Sequence, residues 1–180
     1  MQVFVRILIA LSLVVMPLTG KIYSQGQDPV VPDHLKVPKG NKLILHTYAK
    51  GFQIYTCVRN VSDTSKFEWK LAGPSATLYS DPGYSKVVGQ HYVGPTWEAA
   101  DGSKVVGEKI QQGTPVADGI PWLLLRSASN TGSGIFKMTT FIQRVNTVGG
   151  KAPSVRADKA HEGTAEKVPY TAEYFFYQSE

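Results

Sequence analysis

Short apolar runs separated by Gly and Pro are the feature that most limits what this chain can fold into. Beyond residue 24, no segment of helical length repeats its apolar residues with the 3.6-residue period of an amphipathic helix. Residues 67–71 (FEWKL) and 135–148 instead alternate apolar and polar side chains, as half-buried strands do. The 17 Gly and 11 Pro are scattered between such runs. The pattern predicts an all-β domain of about nine or ten strands with little helix, either a sandwich or a barrel.

Turn residues predict where the strands end. Lys50-Gly51 is expected to turn the strand that begins at residue 42 back on itself as a hairpin. Gly73-Pro74 is expected to end the next strand, because Pro has no backbone N–H to donate to a neighbouring strand. Residues 127–134 (SASNTGSG) are predicted to form a flexible polar loop.

The chain divides into a leader, an arm and one domain. Residues 1–24 have the features of a secretory signal peptide, since Arg6 precedes an apolar segment, residues 7–15, that is too short to span a bilayer. We therefore expect an exported protein, periplasmic or extracellular. Residues 25–38 are polar and Pro-rich and are expected to form an extended arm. Residues 39–180 are expected to form a single β domain, with no transmembrane segment and no indication of oligomeric state.

Charge and metal-ligand spacing exclude several classes of function. The formal net charge is +5, but Lys and Arg never occur side by side, so no nucleic-acid-binding stripe is predicted. The four His residues show no short spacing typical of a metal site, and no cofactor is predicted. Cys57, the single Cys, lies in a strand-like run, where a buried thiol behaves as a small apolar side chain.

The segment around residues 89–103 contains the first candidate ligand site. His91, Tyr92, Trp97, Glu98 and Asp101 lie close together in sequence, among turn residues. If the turns fold Trp97 over the strand that carries His91, an aromatic face, an imidazole and two carboxylates would line a groove suited to a sugar. The alternative is that Trp97 is a core residue, His91 bonds a turn carbonyl, and Asp101 only begins its turn.

Three polar residues on predicted strands form the second set of candidates. Gln53, Gln143 and Arg144 interrupt apolar runs. They would act as specificity groups at the mouth of a cavity, or they would form structural hydrogen bonds or face solvent.

No catalytic set is recognisable. The sequence lacks the G-x-S-x-G of serine hydrolases, and Glu98 and Asp101 are the only carboxylates that suggest a glycosidase pair. Whether the protein is an enzyme stays uncertain, and a non-catalytic role is favoured. The leading hypothesis is a binding module for a carbohydrate or a small organic ligand. The alternatives are a hydrolase of envelope or environmental polymers, and a structural or interaction domain that uses a sheet edge or the 127–134 loop.

Six motifs occur in a fixed order along the chain. They are residues 51–57 (GFQIYTC), 89–97 with 101–103 (DGS), 120–125 (IPWLLL), 142–147 (IQRVNT), 149–153 (GGKAP), and 168–177 (VPYTAEYFFY). In this order they resemble the secreted bacterial and fungal family called domain of unknown function 3455, from about residue 38 to residue 177. The resemblance implies an exported single domain, with no established activity to transfer. Similar members often have a second Cys after the GGKAP segment, where this chain has Ala157, so the resemblance implies that Cys57 is an unpaired half of that disulfide.

Overall fold

Eight strands make up almost all of the regular secondary structure. The computed structural model describes residues 27–113 and 117–180. The strands are β1 (Asn41–Arg59), β2 (Phe67–Tyr79), β3 (Val87–Tyr92), β4 (Thr96–Ala99), β5 (Lys104–Gln112), β6 (Leu123–Thr131), β7 (Thr139–Gly149) and β8 (Ala165–Ser179). Each strand pairs antiparallel with the next, and β8 pairs with β1, so that the sheet closes into a barrel. The predicted all-β fold is confirmed, and its form is the barrel.

Two segments that were predicted to be turns lie inside strands, so the barrel has eight strands and not the predicted nine or ten. β1 runs for 19 residues through Lys50-Gly51, so the predicted hairpin there is wrong. Gly51 is required instead by a close approach of β2, since a Cβ atom at this position would lie 2.2 Å from the Ser75 carbonyl oxygen. β2 likewise continues through Gly73-Pro74, where the pairing register with β1 shifts at a bulge.

The predicted loop at residues 127–134 is also partly strand. β6 extends to Thr131, because residues 127–131 pair with β5 although their composition is that of a loop. A turn follows at residues 132–138 and places Phe136 inside the barrel, where it is fully buried. Thr139 then begins β7, later than the alternating pattern from residue 135 predicts.

The barrel interior is filled unevenly along its axis. We call the end that carries the β4–β5 turn and the β6–β7 turn the packed end. There the rings of Phe136 and Phe176 lie 4.6 Å apart. Between the two ends, Trp97 contacts Tyr174 edge to face, with ring centroids 5.3 Å apart. We call the opposite end, where β3 joins β4 and β5 leads towards β6, the open end. At the open end the interior is not filled, and residues that line it, such as Leu71 and Val93, are exposed to solvent.

The described part of the predicted arm, residues 27–38, packs on the outside of the barrel. It includes a short 3-10 helix, Asp33–Leu35, whose Leu35 is buried. The arm covers an outer apolar cluster that contains Val145, Phe175 and Tyr177. This part of β7 and β8 is therefore covered on both faces, which explains the unbroken apolar run of β8 at residues 174–177.

Cys57 is buried near the end of β1, as expected of a strand thiol. Its Sγ atom lies 3.7 Å from the carbonyl oxygen of Asp158, the residue after Ala157. Ala157 stands where the family resemblance implies a second Cys, so that position is next in sequence to a residue in contact with Cys57. Within the described ranges, no helix has the length and apolar character needed to cross a membrane. The predicted leader, residues 1–24, lies outside the described residues.

Candidate ligand-binding site at the open end of the barrel

A cavity of about 460 Å³ occupies the open end. Most of its wall is apolar, and the apolar lining consists of Leu71, Ala72, Gly73, Pro74, Val93, Gly94, Pro95, Ile120, Pro121, Leu123 and Leu125. A few polar side chains interrupt that wall: Gln53, Tyr55, His91, Lys109, Gln112 and Arg144. Its size and its mixture of apolar wall and few polar groups are those of small-molecule sites, which range over roughly 300–1,000 Å³.

Strand register explains why these residues converge. Paired residues of neighbouring strands point to the same side of a sheet. Arg144 pairs with Leu123 on β6 and with Tyr174 on β8, and all three side chains point into the barrel. His91 faces the interior in the same way, opposite Trp97 on β4.

Gln53 is a buried polar group whose amide lacks a full set of partners. Its side chain is only 2% exposed, and among the described residues Nε2 has no hydrogen-bond partner. An unsatisfied buried donor costs about 1–3 kcal/mol of stability. Further along β1 and β8, the buried hydroxyls of Thr47, Tyr170 and Tyr174 form no hydrogen bond of good geometry within the described ranges, although the two Tyr hydroxyls interact with each other. The interior beside the cavity is therefore richer in polar groups than it needs for its own hydrogen bonding.

Arg144 is a half-buried cation without an acidic partner. Its Nε and Nη2 atoms donate to the Pro121 carbonyl oxygen at 3.2 and 2.8 Å. No carboxylate in the described ranges forms a salt bridge with it. Its charge reaches into the barrel, since it contributes to lowering the pKa of His91. A cation of this kind makes the open end attractive to an anion.

His91 is a neutral acceptor at the base of the cavity. Its Nδ1 atom lies 2.9 Å from the Thr96 carbonyl oxygen, so Nδ1 carries the proton and Nε2 is left as an acceptor. The ring stacks on Trp97, with centroids 4.3 Å apart and planes 8° from parallel. Burial is the main reason that its pKa falls to about 3, and the hydrogen bond to Thr96 opposes that shift only in part.

The first predicted set does not form one groove, because alternate residues of a strand face opposite ways. Trp97 is 1% exposed and lies behind His91 in the core. Tyr92 and Glu98 are on the outer face, where the Tyr92 hydroxyl donates to Glu98 Oε2 at 2.9 Å. That hydrogen bond, followed by the one from Lys104, lowers the pKa of Glu98.

Asp101 is a structural residue of the packed end. Its Oδ1 accepts hydrogen bonds from the Ser103 amide at 2.9 Å and from the Ser103 hydroxyl at 2.6 Å. Its Oδ2 accepts one from the Ile135 amide at 2.8 Å. Asp101 therefore ties the β4–β5 turn to the turn that carries Phe136.

The second predicted set is divided as well. Gln53 and Arg144 line the cavity, whereas Gln143 faces the other side of β7, beneath the arm. There Gln143 donates to the Leu35 carbonyl oxygen at 2.6 Å and accepts from the Tyr177 hydroxyl at 2.7 Å. Gln143 therefore holds the arm in place.

Sequence reasoning missed the other polar lining residues. Tyr55 could have been predicted as a lining residue, because it stands two positions after Gln53 and so shares its face of β1. Lys109 could have been predicted as well, because it alternates with the buried Val105 on one face of β5. Gln112 could not, because the β5–β6 pairing shifts between Lys109 and Gln111 and so changes which of the following β5 residues face inward. Within the described ranges, no three His, Cys, Asp or Glu side chains converge as metal ligands.

Comparison with known proteins assigns a family. The family described as "Protein of unknown function (DUF3455)" matches residues 38–178, most of the chain and all eight strands except the last residue of β8. No similar curated protein and no similar solved structure was found. The chain therefore belongs to the DUF3455 family.

Proposed function

We propose that the protein is a binding module that takes a small organic molecule into the open end of its barrel. One observation carries this proposal: a cavity of about 460 Å³ with an apolar wall and the unpaired Gln53 amide at its surface. A ligand with an apolar body would bury against the wall, and its polar group would satisfy Gln53. Both contributions favour binding, the first through the hydrophobic effect and the second by pairing a buried donor.

Of the two ligand classes that the sequence suggests, the small organic molecule fits this end better than a sugar. Sugar sites commonly offer an exposed aromatic face, and Trp97, the ring predicted for that role, lies behind His91. The rim of the cavity is aliphatic, with Leu71 50% exposed and Val93 62% exposed. Exposed aliphatic side chains around a cavity favour a ligand with a substantial apolar surface.

Thermal unfolding with a panel of small organic molecules and of sugars tests the proposal. Ligand binding to the native state raises the unfolding midpoint, by the equivalent of about 1.4 kcal/mol at a ligand concentration ten times Kd. We expect shifts with apolar-bodied organic molecules and none with sugars. Leu123→Trp, which fills the cavity, should abolish the shift. Val148→Trp, at an exposed position, should keep it.

Two outcomes would contradict the proposal. One is the absence of a shift with every organic compound in the panel. The other is a shift of equal size in the wild-type protein and in the Leu123→Trp variant, because binding would then occur elsewhere on the surface.

We propose in addition that the protein acts outside the cytoplasm, in the periplasm or the medium. The support is the signal-peptide pattern of residues 1–24. Expression of the full chain in a Gram-negative bacterium, followed by fractionation and N-terminal sequencing, tests this. We expect exported protein that begins at residue 21 or residue 25. Cytoplasmic protein with an intact leader would contradict the proposal.

A further inference from the structure

We infer that the ligand of the open end is an organic acid, whose carboxylate is bound by Arg144 while its apolar body lies against the aliphatic wall. This inference rests on the proposed function and specifies the chemistry of the ligand. It predicts that the negative charge of the ligand, and not only its apolar surface, determines affinity.

The charged groups of the lining are all of one sign. Arg144 and Lys109 line the cavity, and among the described residues no Asp or Glu does. A buried or half-buried cation is usually paired, because desolvation of an isolated charge is costly. The partners of Arg144 in the part of the chain that the structure describes, the Pro121 carbonyl and the Tyr174 hydroxyl, are both neutral. An anion in the cavity would supply the missing opposite charge.

Arg144 retains the donors that a carboxylate needs. A guanidinium group has five N–H donors, and the two bonds to Pro121 use two of them, one on Nε and one on Nη2. The remaining donors are on Nη1 and Nη2. The Pro121 carbonyl also restrains the orientation of the side chain, so less conformational entropy is lost when a ligand binds.

Gln53 and Lys109 provide two further donors around the cavity. The Gln53 Nε2 donor is buried and has no partner among the described residues. This observation supports a polar ligand group independently of the charge of Arg144. Lys109 is exposed, and its Nζ atom lies 3.2 Å from Gln112 Oε1. We therefore expect Lys109 to attract the anion at the rim, with Arg144 making the main contact.

The apolar majority of the lining indicates an organic acid and not a small inorganic anion. A phosphate or sulfate ion would leave the side chains of Leu71, Val93 and Leu123 without contacts, so it would gain nothing from the wall. A carboxylate with a hydrocarbon chain or ring uses both parts of the site.

Matched ligand pairs test the charge directly by isothermal titration calorimetry. Decanoate is compared with 1-decanol, and 2-naphthoate with 2-naphthamide, at pH 7, where both acids are ionised. We expect at least one acid to bind about tenfold or more tightly than its neutral partner, since hydrogen bonds to charged groups are the stronger ones. Arg144→Met should remove about this factor for the acid and change the affinity of the neutral compound less than twofold.

Two further variants separate a charge effect from misfolding. Arg144→Lys keeps the charge but loses the planar fork, so we expect affinity for the acid between those of wild type and Arg144→Met. Arg126→Met is the matched control, because it removes an Arg of neighbouring β6 whose partner, Glu108, is on the exposed outer surface. It should leave both affinities unchanged. Circular dichroism and the unfolding midpoint establish that each variant is folded.

The outcomes distinguish this inference from the proposed function. Acid and neutral partners that bind equally well, or an acid affinity unchanged in Arg144→Met and Arg144→Lys, would overturn the inference and leave a small-molecule binding module. Failure of every compound to bind the wild-type protein would overturn both. Inorganic phosphate that competes with the acid at equal concentration would overturn the role assigned to the apolar wall.

Discussion

The two ends of the barrel interior are built for different tasks. At the packed end, Phe136 and Phe176 fill the space between the strands, and Asp101 fixes the turn that carries Phe136. At the open end, the same sheet encloses a cavity with the buried Gln53 amide and the Arg144 guanidinium, which has no acidic partner among the described residues. The comparison teaches that one closed sheet separates stability from binding along its axis. His91 and Trp97 stack at the boundary between the two regions.

The stability of the fold is expected to come mainly from the packed end. Close-packed aromatic side chains contribute through apolar burial and ring contacts. The open end contributes less, because part of its surface is left uncovered and some of its polar groups are unpaired. Substitutions at the two ends should therefore differ in sign as well as in size.

Truncation of Trp97 should produce the largest change. Trp97→Ala removes a 1% exposed indole from the core and is expected to lower the free energy of unfolding by about 3–5 kcal/mol. Urea unfolding followed by circular dichroism measures this. Trp69→Ala is the control, since Trp69 donates to the Val155 carbonyl on an exposed surface. A cost for Trp97→Ala no larger than that for Trp69→Ala would contradict the contrast between core and surface.

Low pH should destabilise the fold through protonation of His91, which lies at the boundary between the two ends. The pKa of His91 is about 3 in the folded state, against an ordinary value of 6.5. As pH falls, His91 takes up a proton in the unfolded state near pH 6.5 but in the folded state only near pH 3. The free energy of unfolding is therefore unaffected by His91 above pH 6.5 and decreases as pH falls from 6.5 towards 3. The slope within this window is about 1.4 kcal/mol per pH unit.

Urea unfolding from pH 7 to pH 4.5 in wild type and in His91→Gln measures that effect. The difference in stability between the two proteins should shrink as pH falls, because only the wild-type protein has this group to protonate. His46 also has a pKa lowered mainly by burial, and it is present in both proteins, so it cancels in the comparison. A difference that stays constant over this range would show that His91 titrates normally in the folded state.

Loss of the tie at the packed end should have an intermediate effect. Asp101→Asn presents the Ile135 amide with a side chain that can no longer offer two carboxylate oxygens, and we expect a cost of about 1–3 kcal/mol. Asp63→Asn is the control, because Asp63 bonds the amide and hydroxyl of Ser65 in the same local way, and its other partner, Lys66, forms only an exposed ion pair of small expected energy. Equal costs in the two variants would mean that the bond to Ile135 contributes nothing.

Removal of the unpaired amide at the open end should have the smallest effect, and of opposite sign. Gln53→Met preserves the length of the side chain and eliminates a buried donor, so we expect a gain of about 1 kcal/mol in unfolding free energy. The same variant should bind an organic acid more weakly. Gln90→Met, on the outer face beside Glu98, should change neither quantity. Destabilisation by Gln53→Met would indicate that Gln53 is a structural residue.

Local sequence patterns were sufficient for the fold class and for some parts of the site. The short alternating runs and scattered turns predict an all-β chain, and Asp101-Gly102 does form a turn, in which Gly102 has φ of 83°. Gln53 and Arg144 were recognised as polar residues on strands, and a cavity mouth was one of their predicted roles. These inferences succeed because alternation and turn chemistry are properties of neighbouring residues.

Strand ends and side-chain facing could not be predicted to the same degree. Gly51 has the sequence context of a turn, and only the close approach of β2 explains its place inside a strand. Gln112 faces the cavity because of a register shift of β5 against β6 that its own neighbours do not encode. His91 and Glu98 are close in sequence but lie on opposite faces of the sheet, because alternate residues of a strand point to opposite sides.

The sequence by itself therefore determined that this chain forms a turn-rich β domain with polar residues placed within its strands. Only the tertiary structure decided that the sheet closes, that one end is filled and the other is hollow, and that Arg144 is left without an acidic partner in the described chain. The physical reason is that closure, packing and ion pairing depend on contacts between residues far apart in sequence. The pairing of β1 with β8 joins Asn41 to Ser179, nearly the whole length of the domain.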